Sequence, residues 1–178
     1  MEVPVLGKQF TLFSTDLGWM AIVGRQNRLL HLRFDEPSRS AVLSSIRSLL
    51  SSNAVEEDWN GPLVQRLKAY AAGEPDDFLD ISIDQAGWTP FARKVLELCR
   101  HVPCGETTSY GQLAARAGSP RAARAVGNVM AQNRCPLVIP CHRVLGSGAS
   151  LGGYSARGGL KLKRQLLDME AATLAGVG

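Results

Sequence analysis

Tyr110-Gly111-Gln112-Leu113-Ala114-Ala115-Arg116-Ala117-Gly118-Ser119-Pro120-Arg121-Ala122-Ala123-Arg124-Ala125-Val126-Gly127-Asn128 organises the second half of the chain. Tyr110 to Ala117 has the composition of a short helix, and Gly118 ends it, because glycine enters the left-handed region without a Cβ penalty. Ser119-Pro120 reads as a cap and first helical residue of another helix running to about Gln132. Two helices of roughly eight and thirteen residues joined by a Gly-Ser turn have the outline of a helix-turn-helix, whose second helix enters a groove of nucleic acid. This second helix is small on most faces and basic at its start. Small side chains permit close backbone approach, and Arg121 and Arg124, three apart, are expected to project from one side.

Charge supports a polyanionic partner for this half. Residues 1–87 carry 8 Lys and Arg against 12 Asp and Glu, whereas residues 88–178 carry 12 against 4. The modest overall net charge of +4 thus hides an acidic half and a strongly basic one. Phosphate neutralisation supplies most of the non-specific affinity for DNA, so DNA is the expected partner of the second half. No apolar run approaches the roughly 18 residues that a membrane helix needs. Met1 to Phe10 lacks the basic start and apolar middle of a signal peptide. The expectation is a cytoplasmic protein, nucleoid-associated if prokaryotic, with no membrane partner.

The first half reads differently. Gln9 to Ser14, Trp19 to Gly24 and Leu29 to Phe34 have strand character and are separated by turn formers, which predicts an antiparallel meander. Val42, Leu43, Ile46, Leu49 and Leu50 form the stripe of a helix over Ala41 to Leu50. Another helix runs from Pro62 to Ala72, with proline early and Gly73 late. Gly73 to Gly87 is acidic and is expected to be a linker. Thr89-Pro90 then caps a helix reaching about Arg100. The expected architecture is α+β in two domains: residues 1–87, a scaffold with an acidic linker, and residues 88–178, which carry the chemistry.

All 4 cysteines, Cys99, Cys104, Cys135 and Cys141, lie in the second half. With no Cys-x-x-Cys and no signal peptide, the pattern argues against a disulfide framework. Cys99, His101 and Cys104 are close in sequence but match no zinc-finger spacing, so no metal is expected. The sharpest local signal is Ile139-Pro140-Cys141-His142-Arg143-Val144. Pro140 stops any helix, and in the turn that follows a thiol and an imidazole can be bridged by water. A free thiol is only a few per cent thiolate at neutral pH, and a neighbouring histidine can act as its base. Such a base needs an acceptor on its other nitrogen. The helix Leu160 to Glu170 offers Asp168 and Glu170, between which spacing does not choose. Lys161, Lys163 and Arg164 of that helix are expected to face solvent or phosphate.

Pro140-Cys141-His142-Arg143-Val144, followed by Gly152-Gly153-Tyr154-Ser155 and preceded by Ala122-Ala123-Arg124-Ala125-Val126-Gly127 and Asn133, closely resembles the O6-alkylguanine-DNA alkyltransferase family. The match is dense from Phe91 to Glu170. The resemblance implies that Cys141 accepts the alkyl group, His142 is the base acting through water, and Glu170 holds His142. It further implies that Asn133 braces the turn, Tyr110 donates toward a ring nitrogen of the flipped guanine, and Arg124 fills the gap in the duplex. Pro136, Val144 and Ser155 would line the base pocket, and Ser119, Arg121 and Ser147 would contact DNA. The first half would be a ribonuclease H-like α/β domain, and the second a helix-turn-helix, winged-helix-like domain that binds the minor groove. The protein would act as a monomer on double-stranded DNA containing O6-alkylguanine, without a cofactor. Some relatives hold zinc in the first half, but residues 1–87 contain no Cys and only His31.

Rival readings are a non-catalytic binder of alkylated bases, a methylation-responsive regulator and a cysteine hydrolase. Cys141 argues against the first, because the related binders carry Trp in that place. Hydrolase dyads come from distant segments rather than adjacent residues. A plain regulator leaves the Pro-Cys-His-Arg turn unexplained.

Overall fold

The computed structural model describes residues 7–175. The chain divides into two compact units, one of Met1–Ala72 with Ile81–Asp84 and the other of Gly73–Asp80 with Gln85–Gly178.

In the first unit β1 (Gln9–Thr15), β2 (Gly18–Arg25) and β3 (Arg28–Glu36) form the antiparallel meander. The β2–β3 turn places Gln26 at φ 50° and Asn27 at φ 61°, the doubly left-handed geometry that matches strand twist in a two-residue hairpin. Period-2 alternation sends Ala21 and Val23 to one face, where with Phe10 they meet Val42 and Ile46 of α1 (Arg39–Ile46). Ser38 caps that helix through Ala41 N–H, 3.1 Å away. Its expected continuation to Leu50 is instead a 3₁₀ turn over Arg47–Leu49. A short strand, β4 (Val55–Glu56), runs parallel to β1 and gives the order β3-β2-β1-β4. Next, α2 (Gly61–Ala71) begins at Asn60, whose side chain caps Leu63 N–H, with Pro62 in its first turn. A Cβ at Gly24 would lie 2.0 Å from the Trp59 ring, so any side chain there would displace that buried ring.

The acidic stretch is not a free linker. Leu29 N–H donates to Ser82 O at 2.8 Å and Asp84 N–H to Leu29 O at 2.9 Å, which adds Ile81–Asp84 to the edge of the first unit. Gly73–Asp80 belongs to the second unit, where Phe78 is buried and Arg100 donates to the carbonyls of Phe78 and Leu79 at 2.9 and 3.0 Å. Apolar Phe78, Ile81 and Ile83 thus outweigh the surrounding acids in deciding how this segment packs.

In the second unit α3 (Pro90–Arg100) starts at the Thr89 cap. Thr108–Ser109 forms β5, and Ser109 with Gln112 makes a capping box that starts α4 (Tyr110–Arg116). Gly118, at φ +85°, ends this helix region. The following helix differs from expectation: α5 spans Ala123–Ala131, with no side-chain cap. Ser119 to Ala122 is a turn closed by Ala122 N–H to Ser119 O at 2.8 Å, so Arg121 precedes the helix rather than sharing a face with Arg124. Val95, Leu96 and Cys99 of α3, Leu113 and Ala114 of α4, and Val126 and Met130 of α5 are buried. After a 3₁₀ turn at Cys141–Arg143 comes β6 (Val144–Leu145), parallel to β5, and finally α6 (Gly159–Ala175). No helix among the described residues is long and apolar enough to cross a membrane.

Candidate active site around Cys141

The segment before Cys141 is fixed by one side chain and one proline. Asn133 is buried, donating from Nδ2 to Ile139 O at 2.8 Å and accepting Cys135 N–H at 3.0 Å, so it spans the turn end to end. Pro140 sits at φ −78°, ψ 64° and centres an inverse γ-turn that Cys141 N–H closes onto Ile139 O at 2.7 Å. Arg143 N–H then bonds Pro140 O at 2.9 Å, which coils Cys141 to Arg143 into a 3₁₀ turn. All three of these side chains are buried.

The three point to different tasks. Burial pushes the Cys141 thiol up, partly offset by the Asn133 side chain, the Lys163 charge and the backbone amides of Cys141 and His142. The resting sulfur is therefore a thiol that needs a base. His142 Nε2 lies 2.8 Å from Glu170 Oε1. Burial lowers the imidazole's pKa more than Glu170 restores it, so the ring is neutral at pH 7. Burial alone would raise the Glu170 carboxyl, but hydrogen bonds from His142 and Arg143 hold it well below the usual carboxylate range. An ionised carboxylate only accepts, so Nε2 carries the imidazole proton and Nδ1 the basic lone pair.

Arg143 makes this possible. Its Nε donates to both Glu170 oxygens at 3.2 and 3.0 Å, one terminal nitrogen reaches Oε1 at 2.8 Å, and the other donates to Val102 O at 2.6 Å. Gly105 N–H adds a bond to Oε2 at 3.0 Å. A buried ion pair of this sort persists only when its remaining donors and acceptors are satisfied, as they are here. Asp168 is exposed, whereas Leu162, Leu166 and Glu170, four residues apart, share the buried face of α6. That spacing was the signal that could have chosen Glu170 from sequence.

Cys141 opens onto a cavity of about 700 Å³. Tyr110, Arg124, Met130, Ser147, Tyr154 and Ser155 are among the residues lining it. Tyr110 is partly buried, its hydroxyl 3.5 Å from Gly153 O. Gly152, at φ +65°, lets the chain pass that ring, because a Cβ there would come within 2.8 Å of it. Arg124 is exposed where α5 borders the cavity, and Gly127 one turn later faces open space.

The structure gathers Cys141, Tyr110, Arg124, Ser147 and Ser155 around one cavity and sets Asn133, His142 and Glu170 among its buried residues. Pro136 and Val144 are not among the lining residues. Val144 is fully buried, and its carbonyl accepts from Lys163 at 2.6 Å. Pro136 is half-buried in the Asn133-braced turn. Ser119 and Arg121 lie in the turn before α5 and also outside the lining. Lys163 contradicts its expected place at the surface: it is fully buried, with three backbone carbonyls as acceptors. Arg143 and Lys163 were both missed as site residues because an isolated basic residue reads as solvent-facing. Among the described residues no group of three or more His, Cys, Asp or Glu is arranged to hold a metal ion.

A neutral thiol, a neutral imidazole and an ionised carboxylate, at a cavity of about 700 Å³, are equipped for attack by sulfur on a carbon brought into the cavity. That defines an α+β protein with a buried cysteine on a cavity, next to a histidine held by a buried glutamate. Residues 90–172 match the family model for the DNA-binding domain of 6-O-methylguanine DNA methyltransferase. A methylated-DNA–protein-cysteine methyltransferase of Mycolicibacterium paratuberculosis is 36% identical over 166 residues, covering 91% of this chain and 92% of the relative. One from Methanosarcina acetivorans is 30% identical over 92% of this chain and 98% of its own. The crystal structure of Mycobacterium tuberculosis OGT in complex with DNA superposes with a TM-score of 0.76 at 31% identity, covering 93% of this chain and 94% of that one. The chain belongs to the methylated-DNA–protein-cysteine methyltransferase family.

Proposed function

We propose that this protein repairs O6-alkylguanine in double-stranded DNA by moving the alkyl group irreversibly onto Cys141, once per molecule. The observation that carries this reading is a buried thiol on a cavity of about 700 Å³, beside a neutral histidine held by an ionised glutamate. In the step, Sγ attacks the alkyl carbon, an S–C bond forms and the C–O6 bond breaks. The thiol proton passes through water to His142 Nδ1, and the departing guanine takes a proton at a ring nitrogen, toward which Tyr110 donates. The resulting thioether has no ready leaving group, so the protein does not turn over.

The lesion is out of reach in stacked DNA and has to be flipped, at a cost of a few kcal/mol. Arg124, exposed at the cavity edge, fills the vacated place in the duplex. The small face of α5, with Ala123 and Gly127, suits close approach in the minor groove. Ser119, Arg121 and Ser147 contact the DNA strands beside it, while Ser155, Pro136 and Val144 shape the surroundings of the flipped base. In this reading α4 and α5 form a helix-turn-helix of winged-helix type. The order β3-β2-β1-β4, with β4 parallel to β1, supports a ribonuclease H-like topology for the first unit. The protein acts as a monomer.

The test is direct. Incubation with duplex containing O6-methylguanine should add the mass of one CH2 to the Cys141 peptide, at most once per protein molecule, and Cys141→Ser should take up none. Repeated turnover, or methyl recovered on another residue, overturns the proposal.

A further inference from the structure

Arg134 directly follows the residue that braces the cysteine turn, and its partners lie more than forty residues earlier in the chain. Its guanidinium sits over the Trp88 ring, 5.0 Å from the centroid, and one terminal nitrogen donates to Ala86 O at 3.1 Å. Both partners belong to a tight turn, closed by Trp88 N–H to Gln85 O at 3.1 Å, in which Gly87 takes φ +79°. A left-handed residue at that position of a turn favours glycine, so Gly87 allows carbonyl and ring to be offered together. A guanidinium suits the pair because it stacks by its face and donates in its plane. The same residues, with Ala92 and Leu96 of α3 and Val129 and Gln132 of α5, line a cavity of about 300 Å³. The side chains of α3 and α5 thus leave space between them here, and the stack ties the end of α5 to the turn that precedes α3.

We infer that Arg134 is a positioning residue for alkyl transfer: stacked on Trp88, it holds Asn133 where that side chain sets the Cys141 turn. This rests on the alkyl-transfer reading and deepens it. On the α5 side Asn133 is anchored by its own N–H, which bonds Met130 O at 3.2 Å, and on the other side the chain is anchored by Arg134. From there the hydrogen bonds run without a break to the nucleophile. Asn133 Nδ2 donates to Ile139 O at 2.8 Å, and that same carbonyl accepts Cys141 N–H at 2.7 Å. Asn133 Oδ1 meanwhile accepts Cys135 N–H at 3.0 Å, so both ends of the turn depend on one side chain. Neither Trp88 nor Arg134 lines the Cys141 cavity, so their influence on the sulfur passes through the turn. Misplacement of a reacting group by about 1 Å costs on the order of a hundredfold in rate, which makes even slight loosening of this anchor measurable.

Full-length Arg134→Met, Trp88→Leu, the two combined, and Arg134→Lys provide the test. With free O6-benzylguanine, the maximal single-turnover rate per folded molecule should fall about fivefold in either single variant, while the half-saturating concentration stays within about twofold. The combined variant should be no slower than either alone, because each single change already removes the one contact. Arg134→Lys keeps a cation over the ring and should recover to within about twofold of the unmodified protein. Peptide-resolved hydrogen exchange should show faster opening over residues 135–141 in Arg134→Met, with the first unit unaffected. An unchanged maximal rate, losses that multiply in the combined variant, or unchanged exchange over the turn overturns the proposal and leaves the stack a surface contact. If Arg134→Met does not fold, Trp88→Phe, which weakens the stack while keeping an aromatic ring, carries the same rate and exchange comparison. Should the unmodified protein take up no alkyl group from free O6-benzylguanine or from alkylated duplex, the alkyl-transfer reading falls, while exchange over the turn still decides whether the stack holds it.

Discussion

Both units bury apolar residues, but among the described residues buried charge is confined to the second. Around α1 the first unit packs Phe10, Ala21, Val23, Val42 and Ile46, all apolar. Among the described residues the buried polar and charged side chains are Asn133, His142, Arg143, Lys163 and Glu170, and all belong to the second unit. Apolar burial gives stability without direction, whereas buried charges cost free energy unless each is matched in place. The first interior is therefore built to hold a shape. The second accepts an energetic penalty to keep one thiol, one imidazole and one carboxylate in defined protonation states.

Glu170→Gln attacks that difference most severely. It strands the Arg143 guanidinium in a buried site, where loss of one partner of an ion pair costs about 3–5 kcal/mol. It also removes the anion that fixes the His142 tautomer, so single-turnover transfer should fall on the order of a hundredfold. Peptide-resolved hydrogen exchange should show faster opening in the second unit, with the first unaffected. The pH response has a definite sign. The folded carboxyl titrates below its unfolded value, so its contribution is complete above the unfolded pKa of about 4.3 and declines as pH falls toward the folded one. Stability measured from pH 6 down to 3 should consequently drop less steeply in the glutamine variant. Equal acid limbs would mean that Glu170 is not the ionised centre of the network.

The same contrast explains what sequence could disclose. The meander was legible because alternation and turn residues are local, and the Thr89 and Ser109 caps because a cap is a short pattern. Helix α5 was placed too early since Ser119-Pro120 has the composition of a cap, while the structure uses it for a separate turn. The two-residue strands β4, β5 and β6 carry no periodicity at all. Lys163 was misplaced for a deeper reason. Its burial depends on three carbonyls contributed by a loop 10 to 19 residues away, which no pattern within α6 announces. Cys141 and His142 are legible in the Pro140-Cys141-His142 turn itself, whereas the choice of Glu170 over Asp168 comes only through the family resemblance.

Arg124→Ala should have a smaller and more selective effect, because this side chain is exposed and stands outside the buried network. Repair of duplex should slow by roughly tenfold or more, since the alanine no longer occupies the space of the flipped base. Reaction with free O6-benzylguanine, which requires no flipping, should change little. The ratio of the two single-turnover rates is the measurement. Equal losses on both substrates would make Arg124 part of the cavity chemistry and would blur the line between DNA handling and alkyl transfer inside the second unit.

Ile46→Ala tests the other side of the comparison and should leave chemistry least affected. Ile46 is fully buried, and truncating it leaves a cavity between α1 and the sheet that costs about 2–5 kcal/mol. Thermal melting should register that loss in full. Below the melting transition, transfer per folded molecule should remain within about twofold of the unmodified protein, as is usual when substitutions share no partners. A large fall in the rate of the folded variant would show that packing under β1 and β2 also tunes the sulfur. The apolar unit would then be part of the reaction's machinery, and stability and chemistry would no longer be divided between the two interiors.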